Sequence, residues 1–241
     1  MNQTRAVPAG HAEPHGGGMA TRLNWLRAAV LGANDGIVST AGLVVGVAGA
    51  TSSRTAILTA GLAGLFAGAL AMASGEYVSV SSQRDAERAM LALERRELAE
   101  SPQAEMAELA QIYQSKGLPP DLSRYVAEQL TARDPLGAHA EAELGIDPEQ
   151  LARPGHAALA SFLSFMAGAV LPLLAITLVP APARIPVTVV AVLAALMATG
   201  TASAALGRAP RGPAVLRNVI GGAIAMGVTY AVGMIVGTAV G

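Results

Sequence analysis

Residues 25–50 read WLRAAVLGANDGIVSTAGLVVGVAGA, an apolar run that is long enough to cross a bilayer as one helix. Asp35 lies about ten residues inside this run. A charged side chain at such a depth costs on the order of 2.5–3.5 kcal/mol, so membrane helices rarely carry one without a functional reason. Two interpretations are open at this point. Asp35 is either a ligand on the path of a cation or a neutral acid that is hydrogen-bonded inside a helix bundle.

The rest of the chain is similarly apolar. Of its 241 residues, 52% are hydrophobic and only 14% are charged, whereas a soluble domain carries about 25% charged residues. Runs of about 20 apolar residues predict an all-α membrane protein with five transmembrane helices. The predicted spans are 25–50, 55–80, 156–179, 184–207 and 214–240. The chain has no cysteine, which excludes disulfides, thiolate metal sites and cysteine nucleophiles.

Polar residues are concentrated between the second and third spans. Fourteen of the 17 acidic residues lie within residues 85–149. We therefore divide the chain into a disordered tail at 1–24, two spans within 25–80, an acidic insert at 81–155 and three further spans within 156–241.

The insert is predicted to be helical. Residues 83–100 lack glycine and proline, so we expect the helix of the second span to continue to residue 100. Ser101 followed by Pro102 is typical of an N-cap with proline at the first helical position, which predicts a second helix to about Lys116. The remaining predicted elements are a helix at 121–133 capped by Asp121, a turn at 134–137 and a short helical piece at 139–144.

Arginine residues lie mainly on one side of the predicted spans. On the opposite side, the short links that join the first span to the second and the third to the fourth contain only Arg54 and Arg184 as charged residues. The positive-inside rule then places the N-terminus and the insert in the cytoplasm and the C-terminus outside. An alanine-, glycine- and arginine-rich composition without organelle targeting favours the plasma membrane of a bacterium. The clustered arginines are Arg5, Arg22, Arg27, Arg84, Arg88, Arg95, Arg96, Arg208, Arg211 and Arg217.

A polar stripe runs along the second span. Met72, Glu76, Ser79 and Gln83 follow spacings of four, three and four residues, which place them on one helix face. Lipid contact would demand apolar residues there, so the stripe is better explained as the wall of a water-accessible path. At 1.5 Å per residue, Met72 lies roughly 12 Å and Asp35 roughly 15 Å deep. Asp35, Met72 and Glu76 are the predicted path residues, although methionine also commonly fills gaps in helix packing.

Acidic residues of the insert form pairs that share a helix face. Two such pairs are three residues apart, namely Glu94 with Glu97 and Glu105 with Glu108. If their helices fold together at the turn at 101–102, four carboxylates converge. One nitrogen and one further oxygen come from residues four apart, His139 and Glu143. Carboxylate oxygens suit Mn²⁺, Fe²⁺, Ca²⁺ and Mg²⁺. Spacing alone slightly favours the alternative, a solvated acidic face.

Two long motifs resemble the vacuolar iron transporter family, LGANDGIVST at residues 31–40 and MASGEYVSVSSQ at residues 72–83. The insert and the segment DPLGAHAEAELG at residues 134–145 resemble it too, in the family's order. The resemblance implies a five-span homodimer whose ion path lies at the dimer interface, between the first spans. It also implies proton-coupled export of Fe²⁺, and often Mn²⁺, from the cytosol.

The resemblance also implies roles for single residues. Asp35 and Met72 stand at the positions of the family's pore ligands, and Glu76 falls within the same motif. The positions of cytosolic metal-binding residues correspond to Glu94, Glu97, Glu105, Glu108 and Glu143. Plant members have methionines near the position of His139, and this chain does not.

These observations predict a proton-coupled transporter that removes divalent metal, Fe²⁺ or Mn²⁺, from the cytoplasm. The alternative is a membrane-anchored metal sensor or buffer, whose insert binds ions while nothing crosses. An enzyme is not predicted, because the sequence has no ordered nucleophile–base pair and no phosphate loop. The expected partners are divalent metal ions, protons, the lipid bilayer and a second copy of the chain. Neither a nucleic-acid partner nor a prosthetic group is expected.

Overall fold

A computed structural model describes the backbone of residues 18–240 and the side chains of residues 29–239. The described chain contains eight α-helices, one π-helical turn at Ala140–Leu144 and no strand. The α-helices are α1 (Gly18–Ala50), α2 (Arg54–Glu100), α3 (Pro102–Ser115), α4 (Pro120–Arg133), α5 (Pro135–His139), α6 (Pro154–Leu178), α7 (Ala181–Leu206) and α8 (Arg211–Val240). Five of them, α1, α2, α6, α7 and α8, are long and apolar enough to cross a membrane. The prediction of an all-α membrane protein with five spans is confirmed.

Several helices begin earlier than predicted. The predicted tail at 1–24 lies largely outside the described residues, and α1 already begins at Gly18. Helix α6 begins at Pro154 and α7 at Ala181, ahead of the predicted starts at 156 and 184. Proline at or near these starts explains the difference, because its fixed φ suits the first helical turn and its missing N–H is not needed there.

The helices form two compact units. The first comprises the described parts of Met1–Met72 and Ala160–Gly241, and the second is Ala73–Leu159. The hydrophobic core of the first unit is built around α1, whose Val44 and Val45 are almost completely buried. Buried side chains from the other spans complete this core, including Ile57, Phe165, Leu196 and Met226.

Helix α1 approaches two other helices backbone to backbone. A Cβ atom at Gly36 would collide with the carbonyl of Phe165 in α6, and one at Gly168 would collide with the carbonyl of Ala33 in α1. Helix α8 approaches α1 in the same manner at Gly233. Without a hydrophobic driving force between helices in lipid, such close contacts are a main source of helix association. At these positions the glycines serve close packing.

The second unit contains the helices of the insert. Helix α2 continues without a break to Glu100, so the prediction that the helix of the second span extends into the insert is confirmed. Helices α3 and α4 form a hairpin whose turn contains Gly117 at φ +100°, a conformation that side-chain-bearing residues rarely adopt. Leu109 and Ala110 of α3 pack with Ala127 of α4 in a small core.

The helix caps of the insert differ from the prediction. Ser101 precedes α3 as expected, but its side chain makes no capping hydrogen bond. Its backbone carbonyl instead accepts hydrogen bonds from the N–H groups of Ala104 and Glu105. The prediction that Asp121 caps α4 is wrong, because the helix begins one residue earlier, at Pro120. The proline ring presets a helical φ at that position.

The segment after α4 is more helical than predicted. Asp134 is the N-cap of α5, and its Oδ1 atom accepts a hydrogen bond from the N–H of Gly137 at 2.9 Å. The predicted turn at 134–137 is therefore mostly the first turn of a helix. The π-helical turn follows at once and ends at Gly145, where φ is +65°. This arrangement fixes His139 at the junction of the two helical pieces.

Candidate metal centre

Three helices of the second unit each contribute one side chain to a common point. Glu94 lies on α2, Glu105 on α3 and His139 at the end of α5. One ligand atom from each residue lies within 4.8 Å of the other two. We call these three residues the buried triad. The proximity of Glu94 and Glu105 follows from the short turn at 101–102, which separates α2 from α3.

The triad is withdrawn from solvent. The exposed fraction is 0% for His139, 3% for Glu94 and 7% for Glu105. Acidic residues are almost never buried to this extent unless they are paired or coordinate a cation. Burial of the ionised carboxylates therefore calls for a compensating positive charge, and without one the protonated form is favoured.

The contacts within the triad leave polar atoms without a partner. The Nδ1 atom of His139 lies 3.1 Å from Oε1 of Glu94 and 3.7 Å from Oε2 of Glu105. Neither contact has the geometry of a hydrogen bond, and in the described structure Glu94 Oε1 and both ring nitrogens of His139 lack one. Each unsatisfied buried polar group costs about 1–3 kcal/mol. Two carboxylates and an imidazole in this arrangement offer oxygen and nitrogen donors to one cation.

Negative charge accumulates around the triad. The pKa of the Glu94 carboxyl is raised from 4.5 to about 7, first by burial and then by the charges of Glu143, Glu105, Glu97 and Glu108. Burial, followed by the charge of Glu108, also raises the pKa of both Glu105 and Glu143. Burial and like charges disfavour the ionised carboxylate, whereas a bound divalent cation would favour it.

The other predicted ligands lie at the surface. Glu97, Glu108 and Glu143 are exposed, but their charges reach Glu94 and raise its pKa. The spacing of His139 and Glu143, four residues apart, predicts that both add ligand atoms to the same site. In the structure His139 lies against Glu94, and Glu143 is the strongest of the charges that raise the pKa of Glu94.

The predicted path residues belong to the helices that span the membrane. Asp35 is half-buried on α1, and its Oδ1 atom accepts a hydrogen bond from the hydroxyl of Ser39, one turn further along. Met72 is half-buried and packs against the hydrophobic core of the first unit. Glu76 is half-buried in the second unit. A path through these residues stays a prediction.

Comparison with known proteins places the whole arrangement in one family. The sequence profile of the VIT family matches residues 26–234. The chain belongs to the VIT family. It is 43% identical over 229 residues to the vacuolar iron transporter of Acanthamoeba castellanii, covering 95% of this chain and 84% of that protein. It is 39% identical to vacuolar iron transporter homolog 1 of Oryza sativa subsp. japonica, covering 96% of this chain and 83% of that protein.

The VIT-family match includes both the spans and the insert. The region 26–234 contains Asp35, Met72 and the buried triad, and it confirms the resemblance that the motifs at 31–40 and 72–83 indicated. A further relative, vacuolar iron transporter homolog 2 of Arabidopsis thaliana, is 38% identical and covers 90% of this chain and 86% of that protein. These relatives are named as transporters, in agreement with the prediction that the chain is not an enzyme.

Sequence reasoning missed one residue that positions the insert of this VIT-family chain. The Oε2 atom of Glu87 on α2 accepts a hydrogen bond from the backbone N–H of Ala152 at 3.0 Å. The side chain of Gln83 donates to the other oxygen of Glu87 at 2.8 Å. The contact ties the end of the insert to α2. No spacing rule links residues 65 positions apart, so the sequence alone carries no signal for it.

Proposed function

We propose that this chain is a transporter that exports divalent metal, Fe²⁺ or Mn²⁺, from the cytoplasm in exchange for protons. The observation that carries the proposal is the buried triad of Glu94, Glu105 and His139, together with membership of the VIT family. The curated relatives named above are called vacuolar iron transporters, which supports iron as the cargo.

The insert captures metal in this proposal. Two carboxylate oxygens and an imidazole nitrogen form a donor set that suits Fe²⁺ and Mn²⁺, because carboxylates favour Mn²⁺ and imidazole accommodates iron. The exposed Glu97, Glu108 and Glu143 add negative charge around the site. A concentration of one sign of charge raises the local concentration of the opposite ion. Metal bound here is cargo on its way to the membrane path.

The membrane path carries the ion past Asp35, Met72 and Glu76. The Asp35 carboxylate is the one acidic group in the predicted first span, and its cost in lipid is offset when it binds a cation. The thioether of Met72 adds a softer ligand. Protons and metal compete for the same carboxylate oxygens, so a proton that arrives from the far side displaces the metal. This competition is the proposed coupling.

The orientation follows from the arginines. The four that follow the second span, at 84, 88, 95 and 96, support a cytoplasmic insert under the positive-inside rule, with the C-terminus outside. A bacterial plasma membrane and a homodimer with its ion path between the two copies of α1 complete the proposal. In this arrangement the insert faces the metal pool that the transporter depletes.

A flux assay with purified protein in liposomes tests the proposal. Vesicles with an acidic lumen and a trapped metal-sensitive dye should take up Fe²⁺ through the wild type, and Asp35→Asn should abolish this uptake. Asp121→Asn is the matched control, because Asp121 is an exposed acid on α4, and it should transport normally. Undiminished flux through D35N would contradict the mechanism.

The same assay separates the transporter from a membrane-anchored metal buffer. The buried triad on its own is compatible with a buffer, since it can bind an ion that never crosses. If the protein were a metal buffer, the wild type would bind metal but the dye in the lumen would not respond. A dye response that depends on both metal and the proton gradient excludes it.

A further inference from the structure

A cavity of about 230 Å³ lies at the end of the first unit where the short links between spans are located. Its walls are the C-terminal end of α1, the link residues Thr51 and Ser52, and the first turn of α7 with Ala181 and Arg184. This end of the unit is remote from the predicted metal path. Asp35 lies fifteen residues before Ala50, which is about 22 Å along α1.

Arg184 is the charged group in this cavity. Only 8% of the residue is exposed. One of its terminal nitrogens, Nη1, donates a hydrogen bond to the backbone carbonyl of Ser52 at 3.2 Å. Its Nε atom is buried and has no hydrogen-bond partner among the described residues. A guanidinium keeps its charge at any ordinary pH, so a buried one with a free donor calls for an anion.

No acidic side chain of the described residues lines this cavity. Outside the insert region at 85–149, its only acidic side chains are Glu13, Asp35 and Glu76. Glu13 precedes the described residues, and Asp35 and Glu76 lie many residues from the links that form the cavity. The other charged residue of these links is a second cation, Arg54, at the start of α2. Within the described chain the Arg184 charge has no counter-ion.

Two helix ends of opposite polarity lie at this cavity, the N-terminus of α7 and the C-terminus of α1. Helix α7 begins at Ala181 and has no acidic residue in its first turn. The N-terminus of a helix carries a partial positive charge of roughly half an elementary charge. Arg184 itself lies in the first turn of α7, where a cation is unfavourable unless an anion accompanies it. The buried guanidinium of Arg184 and the lack of acidic side chains along the cavity favour a negatively charged ligand.

We propose that this cavity binds a phosphate group, with Arg184 as its main ligand. The guanidinium fork matches phosphate oxygens with two parallel N–H donors, and two residues that carry hydroxyl groups, Thr51 and Ser52, also line the cavity. The volume is below the range of about 300–1,000 Å³ that drug-sized ligands occupy, as a small anion requires. Because the links between spans lie at the level of the lipid headgroups, the phosphate comes either from a phospholipid or from free phosphate in solution.

The two sources are distinguished by binding measurements on the full-length protein in a detergent without phosphate. Short-chain phosphatidylglycerol and inorganic phosphate are titrated separately, and binding is followed by isothermal calorimetry. Binding of the lipid alone assigns the site to a headgroup. Binding of inorganic phosphate that competes with the lipid assigns it to the free anion. Either result supports the proposal, and no binding of either probe to the wild type overturns it.

Substitutions test whether phosphate binds in this cavity. Arg184→Gln should weaken binding at least about tenfold, because charge-assisted hydrogen bonds are lost. Arg211→Gln, at an exposed arginine at the start of α8 that does not line the cavity, should bind like the wild type. Equal affinities of the wild type and R184Q overturn the proposal.

A second pair of variants keeps the test valid if R184Q does not fold. Ala181 is exposed at the rim of the cavity, three residues before Arg184. Ala181→Asp supplies an internal carboxylate that should pair with Arg184 and abolish phosphate binding, while the melting temperature is retained or raised. Ala181→Asn has nearly the same shape without the charge and should bind the anion. An A181D protein that binds phosphate as the wild type does contradicts the proposal.

Discussion

The Nδ1 atom of His139 lies 3.1 Å from Oε1 of Glu94, and both side chains are almost completely buried. A protonated imidazole would neutralise one carboxylate here, but Glu105 stands 3.7 Å from the same nitrogen. Two buried acids therefore share one histidine. A divalent cation bound to the neutral imidazole would balance both carboxylates without a further side chain.

Removal of one carboxylate of the triad should weaken metal binding strongly. Glu94→Gln keeps the shape of the side chain but removes a negative ligand. Even outer-shell partners of a metal contribute about 10–100-fold in affinity, so we expect at least that loss for Mn²⁺ in calorimetry of the full-length protein. Glu128→Gln, at an exposed glutamate on α4, is the control and should bind normally. Equal affinity of E94Q and the wild type would remove the triad from the site.

Substitution of the exposed glutamates should lower the metal affinity in a salt-dependent way, unlike substitution of the buried ones. Glu97 and Glu108 are exposed and act on the site through their charge. Salt screens such interactions, with a Debye length of about 10 Å at 0.1 M and about 3 Å at 1 M ionic strength. We expect Glu97→Gln to lower Mn²⁺ affinity at low salt and to have little effect at 1 M salt. The loss in E94Q should persist at both. A loss in E97Q that does not depend on salt would indicate that Glu97 binds the metal directly.

The raised pKa of Glu94 predicts how stability depends on pH. The carboxyl titrates near 4.5 in the unfolded chain and at about 7 in the fold. Between these values the folded state retains a proton that the unfolded state has lost, so stability decreases as the pH rises from about 4.5 to 7. The melting temperature of the metal-free protein should therefore be higher at pH 6 than at pH 7.5. The difference should shrink in E94Q, which cannot titrate at this position.

The stabilisation that bound metal provides should have the opposite dependence on pH. Carboxylate ligands must lose their protons to bind metal, so affinity rises with pH through the same range. With saturating Mn²⁺, the stabilisation relative to the metal-free protein should be larger at pH 7.5 than at pH 6, and scanning calorimetry measures both. If metal stabilises equally at the two pH values, the raised pKa does not belong to a metal ligand.

The span architecture and the meeting of two of the three triad residues, Glu94 and Glu105, could be predicted from the sequence. A helix in lipid must satisfy its own backbone and present apolar side chains, so each span is visible in a local window. Glu94 and Glu105 come together through the short turn at Ser101, which is also a local feature. His139 was a predicted ligand, but its contact with Glu94 could not be predicted, because its position depends on the start of α5 at Pro135 and on the π-helical turn that follows.

Contacts between distant segments left no local pattern. Arg184 was an ordinary flanking arginine in the sequence, and its burial depends on the carbonyl of Ser52, 132 positions away. The hydrogen bond between Glu87 and Ala152 is of the same kind. The amino-acid composition nevertheless contains one clue to the unusual position of Arg184. The scarcity of acids outside the insert is apparent from the sequence, and it becomes informative once Arg184 is seen to be buried.

The close contact between α1 and α6 predicts a strong effect of a single methyl group. Gly36→Ala would place a Cβ atom against the backbone carbonyl of Phe165, which cannot move without its helix. Overpacking of this kind costs typically about 1–3 kcal/mol, and about 2–4 °C in melting temperature per kcal/mol for a chain of this size. Gly227→Ala on α8 is the matched control, since no atom lies within 4 Å of its Cβ position. It should melt at or above the wild-type temperature because alanine favours the helix. A G36A protein as stable as G227A would show that α1 and α6 are not in contact at Gly36.

Kinetics of transport should separate capture by the insert from passage through the membrane. Glu105 belongs to the buried triad, so Glu105→Gln should impair the delivery of scarce metal and leave the path past Asp35 intact. We expect E105Q to raise the KM for Fe²⁺ in the liposome assay and to keep most of the maximal rate at saturating metal. Asp35→Asn should abolish the maximal rate itself, because the affected step is the crossing. If E105Q lowered the maximal rate as D35N does, the insert would take part in the crossing step and would not merely supply metal to it. If E105Q changed neither constant, the triad would bind metal independently of transport.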